Sequence, residues 1–342
     1  MGSRAPLRVT PQQVLAYRRA VQSLDERLPW GAESLRRAAS AGLQDSMPRA
    51  ALLSIHARVA GTETTALDDP ALVQVWGPRY SAYVVAAGDH APFTLGRLPD
   101  DERGRRRAEE MAERLHAFLN GRVLTDREVH SALGVGNGMR YATTTGTLHI
   151  RWEGARAPTV WSVPRPSMAP DKARMELARR YLHAFGPTDA AAFAGWAGVS
   201  SRGAHAAFEA LAPELVAVTI PIGDRWILAA DEPAIRAPAV AAAPARLLPS
   251  GDTYFLLWGA DRELLVPDAD RRARLWTTRV WPGAVLVDGE IAGTWRRATT
   301  IVDVEPWRRL SRAERASVEA EAGSLPLPGV TGDDMVVRWS DA

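Results

Sequence analysis

The chain has 342 residues, a length typical of about two to four structural units rather than of one small core. It contains no cysteine, which excludes disulfides, thiolate zinc sites and cysteine nucleophiles. The sequence has no run of about eighteen apolar residues, which a membrane span would need, and Met1–Arg4 lacks the apolar segment of a secretory signal. The histidines are scattered without metal-ligand spacing. We therefore expect a cytoplasmic protein with no metal, no cofactor and no membrane partner.

The formal net charge is only +2, which by itself indicates no class of partner. Lys172 is the only lysine, so nearly every cation is an arginine. Guanidinium groups bind phosphates through two hydrogen bonds and stack on bases, so a nearly neutral chain can bind nucleic acid if its arginines gather on one face. A GC-rich genome, which favours arginine codons, explains most of the same excess.

The first hundred residues predict helices followed by a two-stranded hairpin. Thr10 and Pro11 predict the start of the first helix, as N-cap and first helical residue. Further helices are predicted over Ala32 to Ala41 and Ala50 to Val59. Leu72 to Val85 predicts two short strands joined by a Gly-Pro-Arg turn. Helices followed by a hairpin are the winged-helix pattern.

The same order of elements recurs twice. A charged helix from Asp100 to Leu119 and a helix capped by Thr125 and Glu128 precede a second hairpin, with strands at 146–152 and 160–163. In the third repetition the helices are predicted over 175–185, 190–197 and 201–211, and the strands over 215–220 and 225–229.

A linker rich in alanine and proline, Ala237 to Ala245, separates these repetitions from a β-rich segment. Its strands are predicted at 246–249, 253–258, 279–281, 284–287 and 291–295, with a helix over 306–321. Asp288-Gly289 predicts a two-residue hairpin turn. The chain is thus predicted to be α+β. Tandem winged-helix modules are expected over 1–100, 101–170 and 171–236, and a small C-terminal β-barrel domain over 246–342.

A polar cluster, Gln44-Asp45-Ser46, lies between the second and third predicted helices, and Pro48 and Arg49 follow it. A polar turn at the start of a helix, with a cation beside it, can carry chemistry next to a phosphate backbone. Gln, Asp and Ser are also ordinary cap and turn residues, and spacing alone favours that structural alternative.

Residues along most of the chain, in order from about 10 to 330, resemble a known family. They are Leu43-Gln44, Pro48 to Leu52, Ala57-Arg58, Arg180 to Leu182, Gly186 to Thr188, Trp196, Gly198, Leu247 to Pro249, Asp252, Arg262, Val287 to Gly289 and Gly293 to Arg297. The chain resembles the winged-helix DNA glycosylases of the AlkZ and YcaQ type. The resemblance implies a curved DNA-binding body of tandem winged helices with a C-terminal β-barrel, and double-stranded, damaged DNA as the partner of a monomeric protein near the nucleoid.

The catalytic signature of the family is Gln-apolar-Gln or Gln-apolar-Asp, and it falls on the polar cluster. Gln44 matches the signature, whereas Asp45 replaces the apolar residue and Ser46 replaces the second Gln or Asp. Hydrolysis of an N-glycosidic bond needs a group that positions water at C1′ and stabilises an oxocarbenium-like sugar. Gln44 can hold the water, and Asp45 can act as base or electrostatic partner. If the turn is extended, however, Asp45 points away from the face that Gln44 and Ser46 share.

Six further residues are candidate DNA contacts: Arg49, His56, Arg79, Tyr80, Arg296 and Arg297. Arg49 can meet a phosphate or be an ordinary solvated arginine at a helix start. A lone helical histidine is more often structural than a DNA contact. The pair at 79–80 lies at the predicted wing turn, and wing tips often touch the minor groove or the backbone. The pair at 296–297 can bind DNA or form ion pairs with Asp303 or Glu305.

The resemblance thus implies a monofunctional DNA glycosylase that releases alkylated or bulky-adduct bases from duplex DNA. No lysine adjoins the motif, so no Schiff-base step is expected. The alternative is a non-catalytic winged-helix DNA-binding protein, a regulator or damage sensor, which the serine at position 46 favours.

Overall fold

The structure, a computed structural model, describes residues 6–45, 47, 49–136, 138–154, 156–330 and 332–340. Within these residues the chain forms a mixed α+β fold with three sheets. None of the described helices combines the length and the apolar character needed to cross a membrane.

Most of the predicted helices and strands are present, but several short helices and strands were not predicted. The helices are α1 Pro11–Val21, α2 Ala32–Ala38, α3 Ala50–Arg58, α4 His90–Thr94, α5 Glu102–Leu119, α6 Asp126–Leu133, α7 Gly138–Ala142, α8 Pro170–Phe185, α9 Ala190–Ala197, α10 Ser201–Leu211, α11 Glu232–Arg236, α12 Asp261–Leu265, α13 Ala269–Leu275 and α14 Arg312–Gly323. The strands are β1 Leu7–Arg8, β2 Leu43–Gln44, β3 Leu72–Trp76, β4 Ala82–Ala86, β5 Leu124–Thr125, β6 Leu148–Arg151, β7 Thr159–Ser162, β8 Leu215–Ile220, β9 Gly223–Leu228, β10 Ala245–Leu248, β11 Gly283–Val287, β12 Glu290–Ala298, β13 Ile301–Pro306 and β14 Val336–Trp339.

The predicted helix starts at Thr10 and Thr125 are confirmed, and both are capping boxes. The Thr10 hydroxyl accepts from the backbone of Gln13, whose side chain accepts in return from the backbone of Thr10. Thr125 and Glu128 exchange the same pair of hydrogen bonds. Each box satisfies two backbone donors that the first turn of a helix leaves without partners.

The motif lies at one edge of a six-stranded sheet with the order β2-β4-β3-β6-β7-β5. The two hairpins predicted for the first and second modules share this sheet, since Gln74 of β3 pairs with Ile150 of β6. On the edge strand, Gln44 lies opposite Tyr83 of β4. Strand β2, and with it the backbone of Gln44, is therefore held against the first hairpin.

A short N-terminal strand completes the hairpin of the third predicted module, which the sequence did not indicate. β1 pairs in parallel with β8, with Leu7 opposite Val218. Helix α1 covers the same sheet and buries Val14 and Tyr17 against Ile227 and its neighbours. The first residues of the chain are therefore part of this core.

The C-terminal strands form an open five-stranded sheet, β10-β11-β12-β13-β14, so the predicted barrel is not confirmed. The hairpin turn at Asp288-Gly289 is confirmed between β11 and β12. The strands predicted over 253–258 and 279–281 are wrong. Asp252 caps the backbone of Tyr254 and starts a 3-10 turn there, and the second segment is irregular. The last helix begins at Arg312 rather than at residue 306, because Ser311 caps it.

Buried ion pairs join distant parts of the chain. Arg58 of α3 makes two hydrogen bonds to the Asp252 carboxylate, at 2.7 and 2.8 Å. Arg18 of α1 meets Asp261 of α12 at 2.7 Å. All four side chains are at most 4% exposed. These pairs fix the N-terminal helices, and with them the motif, against the segment that follows β10.

Candidate active site

Gln44 is the last residue of β2, half-buried, with its amide oxygen held from two sides. Oε1 accepts from Arg79 Nη2 at 3.3 Å and lies 3.5 Å from Tyr83 Oη. Burial raises the pKa of Tyr83 to about 12, so its phenol keeps its proton and donates. Gly251 allows the chain to approach the amide, because a Cβ there would lie 3.3 Å from Gln44 Nε2 and its φ is +75°. The amide is therefore fixed in orientation.

Asp45 turns into the protein. It is 2% exposed. Oδ1 accepts from the backbone N–H of Ala51, in the first turn of α3, at 3.0 Å, and Oδ2 accepts from Gln74 Nε2 at 2.7 Å. Burial raises the pKa of Asp45 to about 6, although these hydrogen bonds and the nearby Arg151 and Arg49 lower it. Successive residues of an extended chain face opposite sides, and Gln44 and Asp45 accordingly have different partners. Ser46 lies outside the described residues.

Gln74 connects the motif to the second hairpin, and sequence reasoning missed it. It is buried at the centre of β3, and while its Nε2 donates to Asp45, its Oε1 accepts from the backbone N–H of Trp152 at 2.5 Å. The only signal in the sequence was one amide within the apolar run Leu72–Trp76. A buried polar side chain in a strand needs partners, and Gln74 finds one for each end of its amide.

Arg79 lies next to Gln44, as the predicted wing turn allows. Its backbone is left-handed, with φ 52°, and its guanidinium lies 3.9 Å from the centre of the Trp258 ring. Burial lowers the pKa of Arg79. Tyr80, in contrast, packs under Arg97 and edge-on to Tyr141, so these two neighbours face different surroundings.

A second arginine, Arg262, adjoins Arg79 and is surrounded by tryptophans. Its guanidinium lies between 5.0 and 5.6 Å from the ring centres of Trp258, Trp276 and Trp281. Burial lowers the pKa of Arg262, and the positive charge of Arg79 lowers it further. Sequence reasoning matched Arg262 to the family without giving it a role. The three tryptophans within a short segment were the available signal.

Arg49 and Arg297 lie near each other beside the motif. Burial lowers the pKa of Arg297, and the charge of Arg49 lowers it further. Arg296 donates to the carbonyl of Val280 at 3.0 Å, while Glu305 pairs with Arg274. In the part of the chain that the structure describes, no carboxylate forms an ion pair with the arginines at 49, 296 and 297. The structure thus brings these three predicted residues to one positively charged surface.

His56 is the exception among the candidate DNA contacts. It is 6% exposed, and Nε2 lies 3.1 Å from Arg27 Nη2 and 3.0 Å from Ser324 Oγ. Burial lowers its pKa to about 3, with Arg27 and Arg246 lowering it further, so the ring is neutral near pH 7. This position favours the structural interpretation of His56.

The fold and this surface define a class of protein. Arg79 and Arg262 lie over tryptophan rings beside the Gln44 amide, and among the described residues neither forms an ion pair, a combination that nucleic-acid-binding surfaces often use. The family model described as DNA glycosylase AlkZ-like matches residues 35–326, and the chain therefore belongs to the AlkZ-like DNA glycosylase family. The resemblance expected from the sequence is confirmed, and so is the enzyme class.

Two comparisons with individual proteins agree with the family. The chain is 24% identical over 369 aligned positions to a Streptomyces sahachiroi protein named interstrand DNA cross-link repair glycosylase, over 92% of this chain and 95% of that protein. The solved structure of the Streptomyces sahachiroi DNA glycosylase AlkZ matches with a TM-score of 0.78 at 19% identity. That match covers 98% of this chain and 100% of the solved one, and it shows the shared fold.

Proposed function

We propose that this protein is a monofunctional DNA glycosylase that hydrolyses the N-glycosidic bond of alkylated or bulky-adduct bases in double-stranded DNA. The observation that carries the proposal is the fixed amide of Gln44, the residue at the first position of the family signature, beside arginines that form no ion pair among the described residues. The name of the Streptomyces sahachiroi relative extends the expected lesions to interstrand crosslinks.

In the proposed reaction the C1′–N bond breaks and its electron pair leaves with the base. The Gln44 amide holds a water whose oxygen bonds to C1′, and the water then loses a proton to solvent. A base alkylated at a ring nitrogen is cationic and leaves as a neutral molecule, so a neutral amide is sufficient to position the water. The products are the free base and an abasic site.

Asp45 acts in this proposal as a positioning and electrostatic residue. Its hydrogen bonds with Ala51 and Gln74 fix the start of α3 and the end of β2. Above its pKa of about 6 it also carries a negative charge one residue from Gln44, where positive charge develops on the sugar. A role as general base stays a prediction, as does any role of Ser46.

Several finer expectations join the proposal. The modules at 1–100, 101–170 and 171–236 act as winged-helix units on the duplex, and Arg49, Arg79, Arg296 and Arg297 contact its phosphates. Tyr80 stays a predicted contact at the wing turn. The protein works as a monomer on nucleoid DNA. The only lysine of the chain, Lys172, does not adjoin the motif, so a Schiff-base lyase step is not part of the reaction.

The test is release of a base from duplex DNA with a single 7-methylguanine or a bulky N7 adduct, followed by alkaline cleavage of abasic sites. We expect cleavage with the wild-type protein and roughly a hundredfold slower release with Gln44→Ala, because the water loses its positioning group. Gln12→Ala, on the exposed face of α1, is the matched control and keeps full activity. Binding without release by the wild-type protein would instead support the non-catalytic DNA-binding alternative.

A further inference from the structure

The Gln44 amide is the end of a chain of contacts that reaches the third predicted module. Arg79 Nη2 donates to Gln44 Oε1 at 3.3 Å, and the guanidinium carbon of Arg79 lies 3.9 Å from the centre of the Trp258 ring. Arg79 Nη1 is buried and has no hydrogen-bond partner among the described residues. The stack on Trp258 therefore holds the guanidinium where a second hydrogen bond is missing.

Helix α9 limits where Trp258 and Arg79 can lie. A Cβ at Gly195 would be 3.1 Å from Trp258 Cδ1, and a Cβ at Gly198 would be 3.3 Å from Arg79 Cγ. Gly198 also ends α9 in a left-handed conformation, with φ 70°, which favours glycine. The two glycines thus allow both side chains to pack directly against the helix.

The surroundings of Arg79 are unfavourable for a cation that serves the fold alone. Arg262 lies 5.6 Å from the centre of the same Trp258 ring, and neither arginine forms an ion pair among the described residues. Burial lowers the pKa of Arg262, and the charge of Arg79 lowers it further. Charged groups held in such surroundings are common at functional sites.

The hydrogen bond from Arg79 decides which end of the Gln44 amide faces which side. A terminal amide rotates easily about its last torsion, and a half-turn exchanges an acceptor for a donor. A guanidinium can only donate, so it selects the orientation in which Oε1 faces Arg79. A water held by the amide depends on that orientation, and small misplacements of reacting groups can cost up to about a hundredfold in rate.

We propose that Arg79 is a positioning residue for hydrolysis at C1′, and that Trp258 and helix α9 hold Arg79 in place for this role. The inference rests on the proposed function. It adds to the phosphate contact expected for Arg79 a second role that acts through Gln44. The competing possibility is that Arg79 contributes only affinity for phosphate.

A double-mutant cycle separates these two possibilities. Release of 7-methylguanine or a bulky N7 adduct is followed in single turnovers at saturating protein, where a loss of affinity does not change the rate. We expect Arg79→Met to slow release about tenfold when Gln44 is present and less than about twofold in the Gln44→Ala protein. Equal slowing in both backgrounds, or no slowing at saturation, overturns the proposal.

Trp258→Leu tests the stack without removing the donor to Gln44. It should slow release several-fold at saturation, because Arg79 loses the ring that holds it. Two matched controls should keep the wild-type rate: Trp30→Leu, at a tryptophan that is 47% exposed, and Arg107→Met, at an arginine 4.6 Å from the Tyr141 ring. Release by Trp258→Leu at the wild-type rate would overturn the role of Trp258.

The mobility of the Gln44 amide tests the inference without any base release. The chain has five glutamines, so labelling their amides with ¹⁵N gives five pairs of side-chain signals, and the pair from Gln44 is the one lost in Gln44→Ala. In the wild type, ¹⁵N relaxation should show an amide as rigid as that of Gln22, which accepts from Arg58. In Arg79→Met, the Gln44 amide should approach the mobility of the exposed Gln12.

The two measurements together distinguish failure of this inference from failure of the proposed function. Base release by the wild type, with a Gln44 amide that stays rigid in Arg79→Met, would overturn the inference and leave the glycosylase activity standing. A Gln44 amide that becomes mobile in Arg79→Met, without base release by the wild type, would support the hold of Arg79 on Gln44 and overturn the catalytic proposal.

Discussion

Arginines in two regions of the molecule have opposite electrostatic environments. In the interior, Arg58 and Arg18 are 1% exposed, and each meets a buried carboxylate at 2.7 Å. Around Gln44, the partly buried Arg79, Arg262 and Arg297 form no ion pair among the described residues. Burial lowers the pKa of all three, and a second arginine lowers it further for Arg262 and Arg297.

The difference separates arginines that stabilise the fold from arginines that the proposed function assigns to DNA binding. A buried charge is tolerated only when another charge or hydrogen bonds compensate for it. For Arg58 that compensation comes from Asp252, inside the chain. Arg79 and Arg262 instead donate to neutral acceptors, the Gln44 amide and the Leu257 carbonyl. Under the proposed function, DNA phosphates supply the compensating negative charge and release counterions. Four variants test this contrast and two further buried ionisable groups, from the largest expected effect to the smallest.

Arg58→Ala tests the interior region. The substitution leaves the buried Asp252 carboxylate without its guanidinium and should lower the free energy of unfolding by about 3–5 kcal/mol. Urea denaturation measures the loss. Arg36→Ala, which removes an exposed pair with Glu33, is the control and should cost at most about 0.5 kcal/mol. Equal stability of the two variants would contradict the structural role of the interior pairs.

Asp45→Asn tests a buried carboxylate that has amide partners instead of a cation. Burial raises the pKa of Asp45 in the folded protein to about 6, above the usual 3.8 of an aspartate. The stability of the wild-type protein should therefore fall as pH rises from about 4 to 6 and stay level above pH 6. The wild type minus variant difference in unfolding free energy should therefore drop by up to about 3 kcal/mol across this window. A difference that is constant with pH would contradict the burial of the charge.

The same variant separates two roles for Asp45 in catalysis. If the carboxylate acts as a general base, base release by the wild-type protein should rise with pH around 6, and Asp45→Asn should abolish release. In the positioning role proposed above, Asp45→Asn should retain measurable release at all pH values.

His56→Gln tests the opposite sign of pH dependence. The pKa of His56 in the folded protein, about 3, lies below its usual 6.5. The stability that the neutral ring contributes to the fold should therefore be complete above pH 6.5 and be lost as pH falls. Between pH 6.5 and 5 the difference in free energy of unfolding between the wild type and the variant should decrease by about 2 kcal/mol. Affinity for duplex DNA should not change, and a weaker affinity in the variant would restore His56 as a DNA contact.

Arg297→Gln tests the arginines around Gln44 and should have the smallest effect. Stability should change by less than about 0.5 kcal/mol, because no ion pair of the described residues is lost. Affinity for duplex DNA should fall a few-fold, and the slope of log affinity against log salt concentration should decrease by about 1. Arg103→Gln, at an exposed position on α5, is the matched control. An unchanged salt slope would remove Arg297 from the DNA interface.

The sequence predicted those parts of the fold that depend on neighbouring residues. Helix starts at Thr10 and Thr125 were predictable because each cap bonds to a residue three positions on. The segment at 253–258 was misread as a strand because its apolar and aromatic residues lie in a 3-10 turn and the irregular chain after it, and an apolar run alone does not distinguish these from a strand.

The site was only partly predictable, for a related reason. Gln44 and the nearby arginines could be singled out by type and by the family signature, and an extended turn already implied that Asp45 faces the other way. The bond from Gln74 to Asp45 and the stacking of Arg262 on three tryptophans join residues far apart in sequence. Pairing over such distances, like the sharing of one sheet by two hairpins, is not encoded in any local pattern.

Strand β1 and helix α1 have a practical consequence for anyone who prepares shorter versions of the protein. The family model begins at residue 35, yet β1 completes the sheet of β8, and Arg18 reaches Asp261. A fragment cut at the family boundary would uncover Val218 and leave Asp261 without its cation. Such a fragment should aggregate or fail to express, although it retains every residue of the catalytic signature.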